Sequence, residues 1–183
     1  MSLTHGILLL KLLLLDKTIT TITRLDDAAK KCCKLKEFTK VWTIENKRAP
    51  YFWLDKVCID QIKPIDGVSV LPININACNK MLILLGKTYL TRLWCIWEIF
   101  TLCTFCNDEL ALERIEVVLL DDFHEISQQL TNFDIDKAHC FDPNEEYKLR
   151  FIFNMIGKEN LAKCIKLMSQ KLMSLSQFRN RIE

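Results

Sequence analysis

Residues 80–104 read KMLILLGKTYLTRLWCIWEIFTLCT, and this stretch decides the fold. A short apolar run, Met81-Leu82-Ile83-Leu84-Leu85, has the length and character of a strand. Gly86 breaks the run. From Leu90 to Phe105 apolar residues then occupy most of a helical circumference, which predicts a buried helix. Glu98 sits inside that helix and is the only carboxylate between Gly67 and Asn107. A lone acid in so apolar a stretch is costly to bury, so it needs a partner or a task.

Upstream, residues 71–79 form a short predicted helix, with Pro72 acceptable in its first turn. Residues 60–70 contain Pro64 and Asp66-Gly67 and read as a loop. Residues 51–59, YFWLDKVCI, read as a strand, and 46–50, NKRAP, as a polar break. Residues 28–45 carry Leu35, Phe38, Val41 and Trp42 at helical spacing, with Asp26 or Asp27 suited to cap them. The β-branched run KTITTIT at 17–23 reads as the first strand. The preceding GILLLKLLLLDK reads as a helix or strand packed on the domain. It lacks a basic leader and a cleavage site, is too short for a bilayer span, and also fits a fragment boundary.

Downstream, Asn107-Asp108 ends the buried helix, and IEVVLL at 115–120 reads as a strand covered on both faces. A helix is expected over 123–130 and a short fifth strand over 138–141, AHCF. Asp142-Pro143 starts a helix that Gly157 stops, and Asn160 opens a last amphipathic helix to about Leu175. Such alternation predicts an α/β domain, an open parallel sheet of about five strands with helices on both faces. The domain is expected over 17–158, with an apolar segment before it and a helix over 159–183 packed on or extending it. Ligands of such sheets bind beyond the carboxyl ends of the strands, where the chain arrives at Gly86.

Composition narrows the function classes. The chain has 183 residues, half of them hydrophobic, and 25 basic against 23 acidic residues. That balance gives no basic excess for nucleic acid. Nine scattered cysteines without a framework fit reduced thiols and a cytoplasmic protein. Cys103-Thr104-Phe105-Cys106 is a lone Cys-x-x-Cys at a helix end, and no second pair or histidine cluster gives it zinc spacing. No metal site is expected. No phosphate-cradling glycine loop or Gly-x-Ser-x-Gly elbow occurs.

The order of a strand with FWLD, a loop with Asp-Gly, a short helix, MLILLG and TYLTRLWCIWE resembles the Toll/interleukin-receptor (TIR) domain. Trp94-Cys95-Ile96-Trp97-Glu98 follows that family's Trp-Cys-x-x-Glu residue by residue. A TIR-like group of eukaryotic microbial proteins is closer. It shares WLDKVCIDQ at 53–61, Leu71-Pro72, and YLTRLWC at 89–95. That group has a Ser-His-x-Trp segment ahead of Asp-Asp, where this chain has Thr21-Ile22-Thr23-Arg24-Leu25.

The resemblance implies a flavodoxin-like fold and an intracellular signalling or defence module that associates with other TIR-like domains. Some TIR domains cleave the nicotinamide–ribose bond of NAD, and the Glu after Trp-Cys is their essential acid; here that is Glu98. NAD would be a substrate rather than a cofactor. Tyr89, Arg92, Trp94, Arg24 and Asp60 would then contact it. A carboxylate beside an oxocarbenium-like ribose stabilises its charge, which suits the reaction. The 60–70 loop corresponds to the family's partner-contact loop, with Ile62, Ile65, Gly67 and Val68 as contact residues. Each feature also has a plainer reading. Glu98 pairs with Arg92 or Lys87, or is solvated; Trp94 and Trp97 are core aromatics; the loop is an ordinary surface loop. The whole chain is then a non-catalytic interaction module or part of a larger protein.

Overall fold

A computed structural model of the chain describes residues 7–10, 28–53 and 70–179. Among these residues four parallel strands form one sheet in the order β2-β1-β3-β4: β1 is Ile7–Leu10, β2 Tyr51–Trp53, β3 Lys80–Leu85 and β4 Ile115–Leu119. The register runs Met81 to Ile115 and Leu85 to Leu119 across β3–β4, and Leu8 to both Phe52 and Lys80 across β1. The chain is thus a mixed α/β protein with a parallel sheet.

The β3 sequence explains its central place. Met81 to Leu85 are all at most 4% exposed, as a strand covered on both faces requires. Met81, Ile83 and Leu85 face the larger core. Leu82 and Leu84 face a smaller one, with Leu35 and Phe38 of helix α1 (Ala28–Asn46) and Phe52 and Val118. The alternation of a strand sends neighbouring side chains to opposite layers.

The larger core is built by α2 (Leu71–Ala77), α3 (Leu93–Phe105), α5 (Phe123–Thr131), α6 (Pro143–Ile156) and α7 (Lys158–Arg179). Leu161, Cys164, Ile165, Met168 and Leu172 make the buried seam of α7. Asp122 caps α5 by accepting from the backbone N–H groups of His124 and Glu125, and Asp142 caps α6 with Pro143 in its first turn. Gly157 ends α6 at φ +94°, a conformation L side chains rarely adopt.

Several expectations are corrected. The sheet has four strands among the described residues, not about five. Residues 138–141 make no strand, and His139 forms only an isolated bridge with Arg92. The backbone groups there are taken elsewhere: His139 N–H goes to Thr91, Leu93 N–H comes to His139, and Cys140 N–H goes to the Glu146 carboxylate. Of the two readings of the apolar N-terminal segment, helix or strand, the structure shows a strand at Ile7–Leu10, which pairs with both β2 and β3. The expected strand at 17–23 lies outside the described residues. So do Asp26, Asp27, most of 51–59 and nearly all of the 60–70 loop.

The segment expected as one helix from Leu90 is broken. A 3-10 turn, Tyr89–Thr91, precedes α3, and Arg92 between them is extended because its backbone bridges to His139. A short helix α4 (Asp108–Arg114) fills the stretch expected as a plain ending. Asn107 caps it by accepting from Leu110 N–H, and Asp108 and Glu109 suit its first turn. α7 begins at Lys158, two residues before the predicted Asn160. No helix among the described residues is long and apolar enough to cross a membrane.

Candidate functional site

Glu98 is buried, at 4% exposure, on α3 among Cys95, Ile99 and Leu102. It is therefore not a solvated edge residue. Tyr89, one helical turn before α3 begins, is also buried and lies within electrostatic reach of Cys95, Glu98 and Arg92. Burial pushes its phenol well above the ordinary range; electrostatic interaction with Cys95 and Glu98 adds to the rise and Arg92 opposes it. Tyr89 thus lies within electrostatic reach of both Arg92 and Glu98. The alternative of Lys87 pairing with Glu98 fails: Lys87 Nζ lies 2.8 Å from Glu125, whose carboxylate raises the lysine pKa.

Trp94 is half-buried, and its indole Nε1 donates to Glu145 at 2.7 Å. That bond fastens the start of α3 to the first turn of α6. Trp97 belongs to the core: it stacks on Phe100 at 5.8 Å between ring centroids and meets Phe153 edge-on at 5.9 Å. Arg24, Asp60, Ile62, Ile65, Gly67 and Val68 lie outside the described residues.

Beside this cluster opens a cleft of about 470 Å³, beyond the carboxyl ends of β3 and β4. Lys87, Leu90 and Thr91 form one wall; Glu125, Gln128 and Asn132, on and just after α5, face them. Tyr89 links the two regions, because the residues that follow it line the cleft while its own ring is buried near Glu98. Glu98 lines neither this cleft nor a smaller one between Arg150 and Leu161. Asp121 closes the end of β4: it accepts from Lys30 Nζ and from Lys87 N–H, each at 2.9 Å. Burial raises its pKa, but these two donors outweigh it and hold the carboxyl below its usual range. The α5 wall went unread in the sequence, because polar residues on an amphipathic helix carry no sign of what they will face.

A second polar knot joins the 138–142 connection to α6. Glu146 accepts from Cys140 N–H at 3.0 Å and Arg150 Nε at 2.8 Å, and His139 Nδ1 lies 3.1 Å away. Those contacts, the backbone N–H first, lower the Glu146 pKa from 4.5 to about 2. Three thiols are tied into the packing of the helices. Cys103 of α3 hydrogen-bonds Cys164 of α7, which raises the former and lowers the latter, and Arg114 donates to Cys106 at 3.1 Å. No group of three or more metal-ligating side chains occurs among the described residues. In comparisons with family models, curated proteins and solved structures, nothing matches this chain.

Proposed function

We propose that this chain is a TIR-like α/β signalling module that associates with its own kind and cleaves NAD at the nicotinamide–ribose bond. The observation that carries the reading is a carboxylate retained at 4% exposure on the helix that follows the third strand, beside Tyr89 and Arg92. The sheet order β2-β1-β3-β4 is also that of the first four strands of a flavodoxin-like fold. In the reaction the bond between the ribose anomeric carbon and the nicotinamide nitrogen breaks. Its electron pair leaves with nicotinamide, and water adds to the carbon and gives up a proton. Glu98 would face the cationic ribose of that transition state, in surroundings where a charge acts strongly.

One observation favours the non-catalytic reading. Glu98 lines neither described cleft, so substrate reaches it only if the side chains over it move. An interaction module needs no such movement. Incubation of the purified protein with NAD, beside Glu98→Ala and Glu98→Gln, separates the two. Catalysis predicts nicotinamide release that falls about 100-fold or more in both variants. Absence of release from the wild-type protein would leave the interaction module, and equal release from Glu98→Ala would remove Glu98 from the reaction.

A further inference from the structure

Helix α1 carries two adjacent thiols, Cys32 and Cys33, and both are free and exposed. Leu35 and Phe38 set the inner face of this helix, against the smaller core. Cys33 lies on the opposite side, and Cys32 on the flank between. Lys36, Lys40 and Ile44 follow Cys33 at steps of three, four and four residues, so the four share one outward row. Both lysines are exposed, and Ile44 and its neighbour on the helix surface, Val41, are 78% and 53% exposed. Residues 30–40 hold five lysines, and three are occupied: Lys30 pairs with Asp121 at 2.9 Å, Lys34 with Glu37 at 2.8 Å, and Lys31 is buried. Glu37 is the one acid between Ala28 and Ile44, and Lys34 already matches it. Lys36 and Lys40 pair with no carboxylate among the described residues. The two thiols are not placed to pair with each other. Adjacent side chains on a helix diverge by about 100°. Their Cα atoms, about 3.8 Å apart across a trans peptide, are closer than the roughly 4.4 Å at which disulfides begin.

We propose that Cys33 and Cys32 are S-acylation sites, and that the outer face of α1 then holds the chain on an anionic lipid bilayer. The acyl donor is a long-chain fatty acyl thioester such as acyl coenzyme A. The cysteine sulfur bonds to the acyl carbonyl carbon, the donor's carbon–sulfur bond breaks, and the thiol proton goes to the departing thiolate. Nothing is oxidised or reduced. Thiols on such a helix face suit this modification, and the other described cysteines are buried or half-buried, out of easy reach of so bulky a donor. One acyl chain alone holds a bilayer only marginally; a lasting anchor takes a second chain or a basic patch beside the first. This face offers both. The neighbouring thiol can take a second chain, and the unpaired Lys36 and Lys40 meet anionic headgroups while Val41 and Ile44 enter the apolar edge of the bilayer. The inference draws on the α1 surface alone and stands apart from the chemistry of Glu98.

Incubation of the full chain with palmitoyl coenzyme A and vesicles of mixed phosphatidylcholine and phosphatidylserine tests it, read by mass spectrometry and vesicle flotation. The chain is expected to gain one or two acyl groups on the peptide holding Cys32 and Cys33, to lose them to neutral hydroxylamine, and to float with the vesicles while acylated. Cys32→Ser with Cys33→Ser should abolish both label and flotation. Lys36→Glu with Lys40→Glu keeps the thiols and should still accept the label. It should weaken vesicle binding of the acylated chain about tenfold or more, since each lysine near an anionic surface is worth on the order of fivefold. Vesicles of phosphatidylcholine alone should weaken binding of the acylated wild type in the same way. All four positions are exposed, so the variants should keep the wild-type circular dichroism spectrum. A chain that takes no acyl group, or takes it on another cysteine, overturns the proposal. So does an acylated chain that stays off the vesicles, or one whose binding is unmoved by the lysine changes.

Discussion

Glu146 is held as an anion by donors from two segments, the Cys140 backbone and the Arg150 side chain, with His139 beside them. Its folded pKa of about 2 lies below the ordinary 4.5. A group with a depressed folded pKa stabilises the fold fully above its unfolded value and loses that contribution as pH falls towards the folded one. The expected outcome is a stability gap between wild type and Glu146→Gln that is steady near neutral pH and closes between pH 4.5 and about 2. Urea unfolding across that range would show it, and a gap independent of pH would refute the assignment. Glu98 was legible as a residue out of place, since one carboxylate in an apolar helix stands out in any reading. Glu146 was not. It is one acid among several in a polar helix start, and its backbone donor, the Cys140 N–H, comes only from the chain folding back at 138–141.

At the scale of elements, Arg114 ties α4 to the end of α2 and, through Cys106, to the end of α3. It is the last residue of α4, is 9% exposed, and donates to the carbonyls of Ile75, Asn76 and Cys78 at the end of α2. A helix end leaves carbonyls short of intrahelical partners, although Ile75 also accepts from the Cys78 N–H at 3.3 Å, and a cation suits that end of its dipole. Arg114→Met keeps the aliphatic stem but removes the donor to these carbonyls. It is expected to destabilise the protein by about 3 kcal/mol in denaturant titration, a few times the cost of an ordinary exposed substitution. A loss under about 0.5 kcal/mol would show that the carbonyls find other donors. Helix α4 itself had a readable signal, Asn107 followed by Asp108 and Glu109, but the strong apolar strand directly after it masked so short an element. The break at Arg92 had none. It depends on His139, more than forty residues away, bridging to it.

Across the whole molecule the sheet divides two unequal cores among the described residues. Ile83 belongs to the large one with α2, α3, α5, α6 and α7, and Leu84 to the small one with α1. A cavity costs more where neighbours on several elements cannot collapse into it. Ile83→Ala should therefore lose about 4 kcal/mol and Leu84→Ala about 2 kcal/mol, although both residues are at most 4% exposed. Equal losses in thermal or urea unfolding would mean that the two layers are equally rigid. The sequence by itself determined the α/β class, β3, β4 and the cores of α3, α5, α6 and α7, because apolar periodicity and caps are local. It also set Glu98 apart as a lone carboxylate in an apolar helix, a pattern that is local. The tertiary structure alone decided that the Ile7–Leu10 strand pairs with both β2 and β3, that His139 bridges to Arg92 instead of adding a fifth strand, and that Tyr147, Phe151 and Met155 of α6 stay exposed. Pairing partners and exposure are set by segments far apart in the chain, and no local pattern encodes which of two apolar faces will find a neighbour.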